Sequence, residues 1–438
     1  MGFSAREVAL DCLVACERQG AWSDGYLRNA IRRAGLDNRD AGFCTRLAFS
    51  VQQNRMLLDW YLNHFSKAPV EKMEPAVRGT LRLGICQLLL MDRIPVHAAV
   101  NESVSLARKR SRNPRVGGLV NAVLRAVDRA KAEGLPQPDD LSIRYSHPKW
   151  LVDTFREAVG DSELEALLEA DNAESPIQAQ VNTNLITVEA LADELTQAGV
   201  TARAHPWLPN CLELEDTGNL ENLASFQTGK FYIQDAAARL AVLAADVKPG
   251  MQVLDACAAP GGKSFAAAIA MQNQGSMISC DIHPHKQKLI REGAARLGLT
   301  VIQTRVQDGK QFVPEWEKAF DLVMADVPCS GLGIIRKKPD IRYKDPGPLA
   351  GLPEVQKDIL DNTARYVKPG GVLLYATCTV LERENGAVVS DFISRHSDFA
   401  CETFTLPGPV GTVPGQITLW PHRHGTDGFF IAKLRRAK

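Results

Sequence analysis

The sequence predicts a multidomain protein of three parts. These are an all-α domain over residues 1–135, a small α+β module over 141–230, and an α/β domain over 231–438 built on a mostly parallel, doubly wound sheet. Three observations carry the prediction. Apolar positions in 1–135 recur only at helical spacing. Gly134-Leu135-Pro136-Gln137-Pro138-Asp139-Asp140 is a polar, proline-rich linker. From 231 onward, short apolar runs alternate with helical patterns, the order that folds into a parallel sheet covered on both faces.

In chain order, Val8, Leu10, Leu13 and Val14 follow Ser4, a suitable helix cap. Residues 77–90 are nearly all apolar, as expected of a helix central in a bundle. His97 opens the next helix, which runs into Arg108, Lys109, Arg110, Arg112 and Arg115, with Arg125 beyond. No acid lies between 105 and 125, and Asn113-Pro114 breaks the helix. Clustered cations around a helix start suit phosphate binding, so an RNA contact is expected here. Residues 1–135 hold 21 Lys+Arg against 13 Asp+Glu, although the whole chain is neutral.

In the middle module, Trp150–Val159, Ser162–Ala170 and Val188–Gln197 read as helices. Residues 178–182, 201–204 and 211–214 read as strands. In the last domain, strands are expected at 251–254, 277–282, 300–306, 320–327, 371–378 and 428–434. Helices are expected at 264–270, 285–297, 352–367 and 382–395.

The ten cysteines are scattered and no Cys-x-x-Cys occurs, which disfavours zinc and suits a reducing cytosol. His283, His285, His422 and His424 form no metal pattern, so no metal is expected. No run approaches the ~20 apolar residues of a membrane span, and a cytoplasmic monomer is the expectation.

The chemistry centres on Asp255-Ala256-Cys257-Ala258-Ala259-Pro260-Gly261-Gly262-Lys263, a small-residue turn between a strand and a helix. Neither Gly-x-Gly-x-x-Gly nor Gly-x-x-x-x-Gly-Lys-Ser/Thr occurs, which points to a cofactor without phosphates, such as S-adenosylmethionine. Asp255, Asp281, Asp308 and Asp326 each follow a strand, at the edge where α/β sheets bind ligands. Asp281 is placed for ribose hydroxyls and Asp308 for an adenine amino group. Cys329 and Cys378 fall at the same edge, where a thiolate could serve as a nucleophile.

The motifs DACAAPGGK (255–263), DVPCSG (326–331) and YATCT (375–379) together resemble the RNA 5-methylcytosine methyltransferases. Residues 1–135, especially Gly118–Arg125, resemble a NusB-type RNA-binding domain. Tyr145–Leu151 and Gln234-Asp235 resemble the middle module, with Gln180 standing where the family usually has Arg. The combination is similar to the Sun/Fmu/RsmB family, which implies methylation of one cytosine in bacterial 16S rRNA; the alternatives are the same chemistry on tRNA or a non-catalytic RNA-binding or ribosome-assembly factor. The resemblance implies attack by Cys378 on C6, a supporting role for Asp326 at N3, and release assisted by Cys329. It also implies S-adenosylmethionine bound by Cys257, Ala258, Ala259, Pro260, Gly261, Gly262, Lys263, Asp281, Asp308 and the edge at Asp326. Lys263 could instead steady Asp326. The loop bearing Arg336, Lys337 and Lys338, and running on to Arg342, is expected beside the catalytic edge as a phosphate clamp.

Overall fold

The computed structural model describes residues 3–438. Contacts divide it into two compact units, one of residues up to Ala173 with Ile335–Lys344, the other of Glu174–Ile334 with Asp345–Lys438.

The first unit is helical. It contains Ala5–Gln19, Ser23–Ala34, Asn38–Gln53, Arg55–Phe65, Pro75–Leu89, Val96–Arg110 and Val116–Glu133. Ser4 starts the first helix through a capping box. Its Oγ accepts from the Glu7 N–H at 3.3 Å, and the Glu7 carboxylate accepts from the Ser4 N–H at 3.0 Å. The apolar run 77–90 becomes Pro75–Leu89, buried almost all round. Its one charge at the centre, Arg82, donates to both oxygens of Asp59 at 2.7 Å and to Glu17 at 3.2 Å, as a buried cation must.

By their contacts the short helices Leu141–Arg144, Lys149–Val159 and Asp161–Ala170 are grouped with this unit. The reason is a polar lock around the turn Tyr145-Ser146-His147. Ser146 sits at φ +54°, and its Oγ accepts from the Leu57 N–H at 3.0 Å. Arg342, with no exposure, donates to the carbonyls of Gln53 (3.1 Å), Tyr145 (3.2 Å) and Asp171 (2.8 Å). Asp340 accepts from the Ser23 N–H at 3.0 Å and from Gln52 Nε2 at 3.0 Å. These bonds explain why Ile335–Lys344, flanked on both sides by chain of the other unit, is grouped with the helices.

The second unit holds two main sheets. The smaller is antiparallel, in the order β2-β3-β1-β4, from β1 (Ile177–Val181), β2 (Thr201–Ala204), β3 (Cys211–Glu215) and β4 (Phe231–Ile233). The larger contains β5 (Gln252–Asp255), β6 (Ser276–Asp281), β7 (Ile302–Val306), β8 (Phe320–Asp326), β9 (Val367–Thr377), β10 (Phe399–Cys401), β13 (Gln416–Leu419) and β14 (Phe429–Arg436). A separate hairpin joins β11 (Phe404–Leu406) to β12 (Gly411–Val413).

Five strands of the larger sheet run parallel in the order β7-β6-β5-β8-β9, the Rossmann-like arrangement. β14 is antiparallel to β9, with Phe430 opposite Thr377. The short strands β10 to β13 were not anticipated. β6 and β8 flank β5 on opposite sides, so the chain reverses its direction of travel across the sheet there. The crevice at such a switch point is where this architecture binds ligands.

Candidate active site

β5 ends at Asp255, and its turn is fixed on both sides. The Ala256 N–H donates to the Met324 carbonyl at 2.9 Å and the Ala258 N–H to the Cys280 carbonyl at 2.6 Å. Gly261 stands at φ +115°, and a Cβ there would lie 2.4 Å from the Phe265 ring. Only glycine lets the chain enter the helix Gly262–Ala270 at this point. The turn from Cys257 to Lys263 is thereby brought to the switch point with the first helical turn behind it.

The four acids that follow strands differ in burial: Asp308 and Asp326 are partly exposed, Asp281 is nearly buried and Asp255 is wholly buried. Asp281 accepts from the His283 N–H at 2.8 Å and lies 3.7 Å from Lys286. Asp308 accepts from the Lys310 N–H at 3.0 Å. It lines a hollow with Phe312, Asp358, Asn362 and Arg365. Asp255 accepts from Ser264 Oγ at 2.7 Å. Burial pushes its carboxyl up to about 7, with the Ser264 bond opposing.

Lys263 reaches an acid at the end of the neighbouring strand. Its Nζ lies 2.6 Å from Asp326 Oδ2 and 4.9 Å from the Phe429 ring centroid. Burial opposes its charge, but Asp326, then Asp255 and Cys378, hold it above its ordinary value. The Cys257 thiol is pushed well up by burial and by Asp255, Asp326 and Asp281.

Cys329 and Cys378 meet with their sulfurs 3.2 Å apart. The Cys329 thiol is held well above its usual range by its hydrogen bond with Cys378, by burial, and by Glu384 and Asp326. The two cysteine turns are braced against each other. Ser330 Oγ and Thr379 Oγ1 are 2.8 Å apart, and the Gly333 N–H donates to the Cys378 carbonyl at 3.0 Å. The Gly428 N–H donates to the Gly333 carbonyl at 2.8 Å. Thr377 Oγ1 donates to Asn385 Oδ1 at 2.6 Å, and Asn385 Nδ2 donates to the Thr379 carbonyl at 3.1 Å.

Sequence reasoning missed Glu384, Asn385, Gln356 and Gly333. It read 382–395 as one helix, whereas a short 3₁₀ turn, Glu382–Glu384, precedes the helix Gly386–Arg395. Asn385 (φ −115°, ψ −105°) is not helical, because its side chain is spent on the cysteine turns. Two polar residues at the start of an expected helix, six and seven positions after Cys378, were the available signal.

The basic residues divide. Lys109 is paired with Glu7, Arg110 with Asp11 at 2.9 Å, and Arg125 lies 3.9 Å from Asp128. Arg108, Arg112 and Arg115 are exposed and form no ion pair among the described residues. The Arg108 guanidinium crosses Gly117, where a Cβ would lie 2.5 Å from Nε. In the later loop Lys338 is exposed, while Arg336 and Lys337 are half-buried. Arg342 spends its donors on buried carbonyls of the helical unit, so it cannot clamp a phosphate. By its contacts the segment 335–344 is grouped with the helical unit.

Three family descriptions match this chain: NusB over 4–129, an RsmF/B-like ferredoxin-like domain over 147–221, and 16S rRNA methyltransferase RsmB/F over 242–435. A Bacillus subtilis protein named probable ribosomal RNA small subunit methyltransferase B is 36% identical over 447 residues, covering 99% of each chain. The Erwinia tasmaniensis ribosomal RNA small subunit methyltransferase B is 33% identical over 435 residues, covering 98% of each. Among solved structures, PH0851 superposes with a TM-score of 0.79 at 26% identity, covering 100% of both chains. A methyltransferase homologue from Pyrococcus horikoshii gives 0.58 at 28% identity, covering 68% of this chain and 98% of that one. The chain belongs to the RsmB/F family of 16S rRNA methyltransferases.

Proposed function

We propose that the protein is an S-adenosylmethionine-dependent methyltransferase that modifies C5 of one cytosine in 16S rRNA through a covalent bond from Cys378 to C6. The observation that carries the reading is the pair of sulfurs at 3.2 Å beside the Lys263–Asp326 pair. The names of the full-length relatives support the substrate class.

The residues of the turn fit the cofactor. The glycine cradle at Gly261 excludes a Cβ, and across the sheet the turn is followed by Asp281 at the end of β6 and Asp308 just past β7. When bound there, S-adenosylmethionine supplies an electrophilic methyl group. C5 of cytosine is a poor nucleophile until the C5–C6 double bond is activated. Addition of the Cys378 thiolate to C6 pushes electrons toward N3 and makes C5 enamine-like. Asp326, positioned by Lys263, acts at N3 in its acid form, giving N3 a proton as negative charge develops there and taking it back on elimination. After transfer, loss of the C5 proton to a base drives elimination. The C6–S bond breaks, the double bond re-forms, and Cys378 leaves as thiolate with help from Cys329. In this reading Arg108, Lys109, Arg110, Arg112, Arg115 and Arg125, with Arg336, Lys337 and Lys338, contribute phosphate contacts. The enzyme works as a monomer in the cytoplasm.

Trapping tests the mechanism. Cys329→Ala, incubated with S-adenosylmethionine and 16S rRNA, should accumulate a protein–RNA adduct that survives a denaturing gel, and Cys378→Ala should form none. The reverse pattern would exchange the two roles. Methyl transfer to tRNA but not to 16S rRNA would move the substrate assignment.

A further inference from the structure

Two thiols in contact raise the question of which one ionises, and the structure supplies an electrostatic answer in a residue assigned no role so far. Glu384 is fully buried. Its Oε2 accepts from the Ser330 N–H at 2.9 Å and from Gln356 Nε2 at 2.9 Å. The same Gln356 Nε2 donates to the Pro328 carbonyl at 3.0 Å, so the carboxylate is tied to both residues that flank Cys329. The Tyr375 hydroxyl donates to the Glu384 backbone carbonyl at 2.6 Å and anchors the residue from the strand side. Glu384 Oε1 is buried with no hydrogen-bond partner among the described residues, and Glu384 forms no ion pair among them. A buried carboxylate without a cation exerts its field on whatever titrates nearby.

Glu384 lies against the Cys329 turn through the Ser330 N–H at 2.9 Å and, with Asp326, holds the Cys329 thiol up, whereas the Lys263 cation is paired with Asp326 at 2.6 Å. We propose that Glu384 is a positioning residue that keeps the shared proton on Cys329, so that Cys378 is the thiolate of the pair. Cys329 then donates its S–H to the Cys378 sulfur in the resting enzyme. The proposal rests on the assignment of attack to Cys378 and gives it a cause outside the two cysteine motifs. Without the carboxylate, two adjacent thiols at the same sheet edge have no strong reason to ionise in a fixed order.

The test is selective alkylation of the full chain, with neither RNA nor S-adenosylmethionine present. A thiolate displaces iodide from iodoacetamide and a thiol does not, so brief labelling and peptide mass mapping read the proton's location. In the unaltered protein Cys378 should label at least ~10-fold faster than Cys329. Glu384→Gln, which keeps the shape and removes the charge, should cut that ratio by ~10-fold or more. Glu384→Asp, which keeps the charge, should retain most of the preference. The buried Cys86 and Cys280 report folding in the same spectra. A ratio unchanged in folded E384Q, or lost in folded E384D, overturns the proposal, as does faster labelling of Cys329 in the unaltered protein. Should E384Q expose Cys86 and Cys280, the unaltered protein and E384D decide by the same criteria. Because the readout needs no methyl transfer, its failure is separable from failure of the RNA reading, which the trapping gel tests.

Discussion

Lys263 Nζ lies 2.6 Å from Asp326 Oδ2, so the last residue of the cofactor turn is committed to an acid at the end of the neighbouring strand. Lys263→Met should therefore act mainly on chemistry. Asp326 would lose the cation that fixes it, and kcat for methyl transfer should fall by about 10²-fold or more. The KM for S-adenosylmethionine should change by less than about 5-fold, because the backbone of the turn is retained. An equal loss in both would return Lys263 to the cofactor.

Asp255 gives a pH signature. Its folded-state value, about 7, lies above the ordinary carboxylate value near 3.8, so the native state holds this proton more tightly than the unfolded chain does. Stability from this group is thus greatest below pH ~4 and is lost as pH rises to ~7, by on the order of 4 kcal/mol at most. Asp255→Asn removes that slope. Urea melts across this range should show the stability difference, variant minus wild type, growing with pH and levelling off above ~7.

Arg342 and Asp340 bind the segment 335–344 into the helical unit. Arg342→Met leaves the carbonyls of Gln53, Tyr145 and Asp171 without their donor and should cost about 3 kcal/mol in urea unfolding. Asp340→Asn, which can still accept one of its bonds, should cost about 1–2 kcal/mol. A surface role for Arg342 would instead leave stability unchanged and weaken RNA binding.

The parts of the site that were legible in the sequence are contiguous. The turn 255–263 and the two cysteine motifs each compress their chemistry into a few adjacent residues at strand ends. What was hidden depends on distant pairing. Arg342 reads like Arg336 until Asp340 and the 145–147 turn bury it. Lys109 reads like Arg112 until Glu7, from the first helix, neutralises it. Asp255 looks like Asp281 in sequence, yet its side chain turns inward to Ser264. Glu384 looked like the start of a helix because nothing local shows that Ser330 and Gln356 claim its carboxylate. The alternation of strand and helix gave the parallel sheet. The short strands β10 to β13 escaped because three or four residues carry too little periodicity to be read.

The division of the basic patch predicts a ranking. Arg112→Ala with Arg115→Ala should reduce the slope of log K against log salt for RNA binding by about 1.4, using ~0.7 per contact on single strands. Lys109→Ala should change it by less, since Glu7 already neutralises that charge.

Gly333 is the crossing point of the two cysteine turns. A Cβ there would lie 1.9 Å from the Gly428 carbonyl oxygen, which is backbone and cannot step aside. Gly333→Ala should lower methyl transfer by about 10-fold or more through misalignment of Cys378. The urea melt of the helical unit should be unaffected.

The threading of Ile335–Lys344 through the helical unit bears on how the chain is made. A ribosome releases the helices first, but their last piece follows only after residue 344 has been polymerised. At about 5–20 residues per second the wait from Ala173 is roughly ten to thirty seconds. Until then the carbonyls that Arg342 will occupy face water or a chaperone, and the amino-terminal half is a vessel without its stopper. Synthesis interrupted anywhere before Arg342 leaves a product that is defective in both halves. The helical unit is thus completed only after Glu174–Ile334 of the other unit has been made.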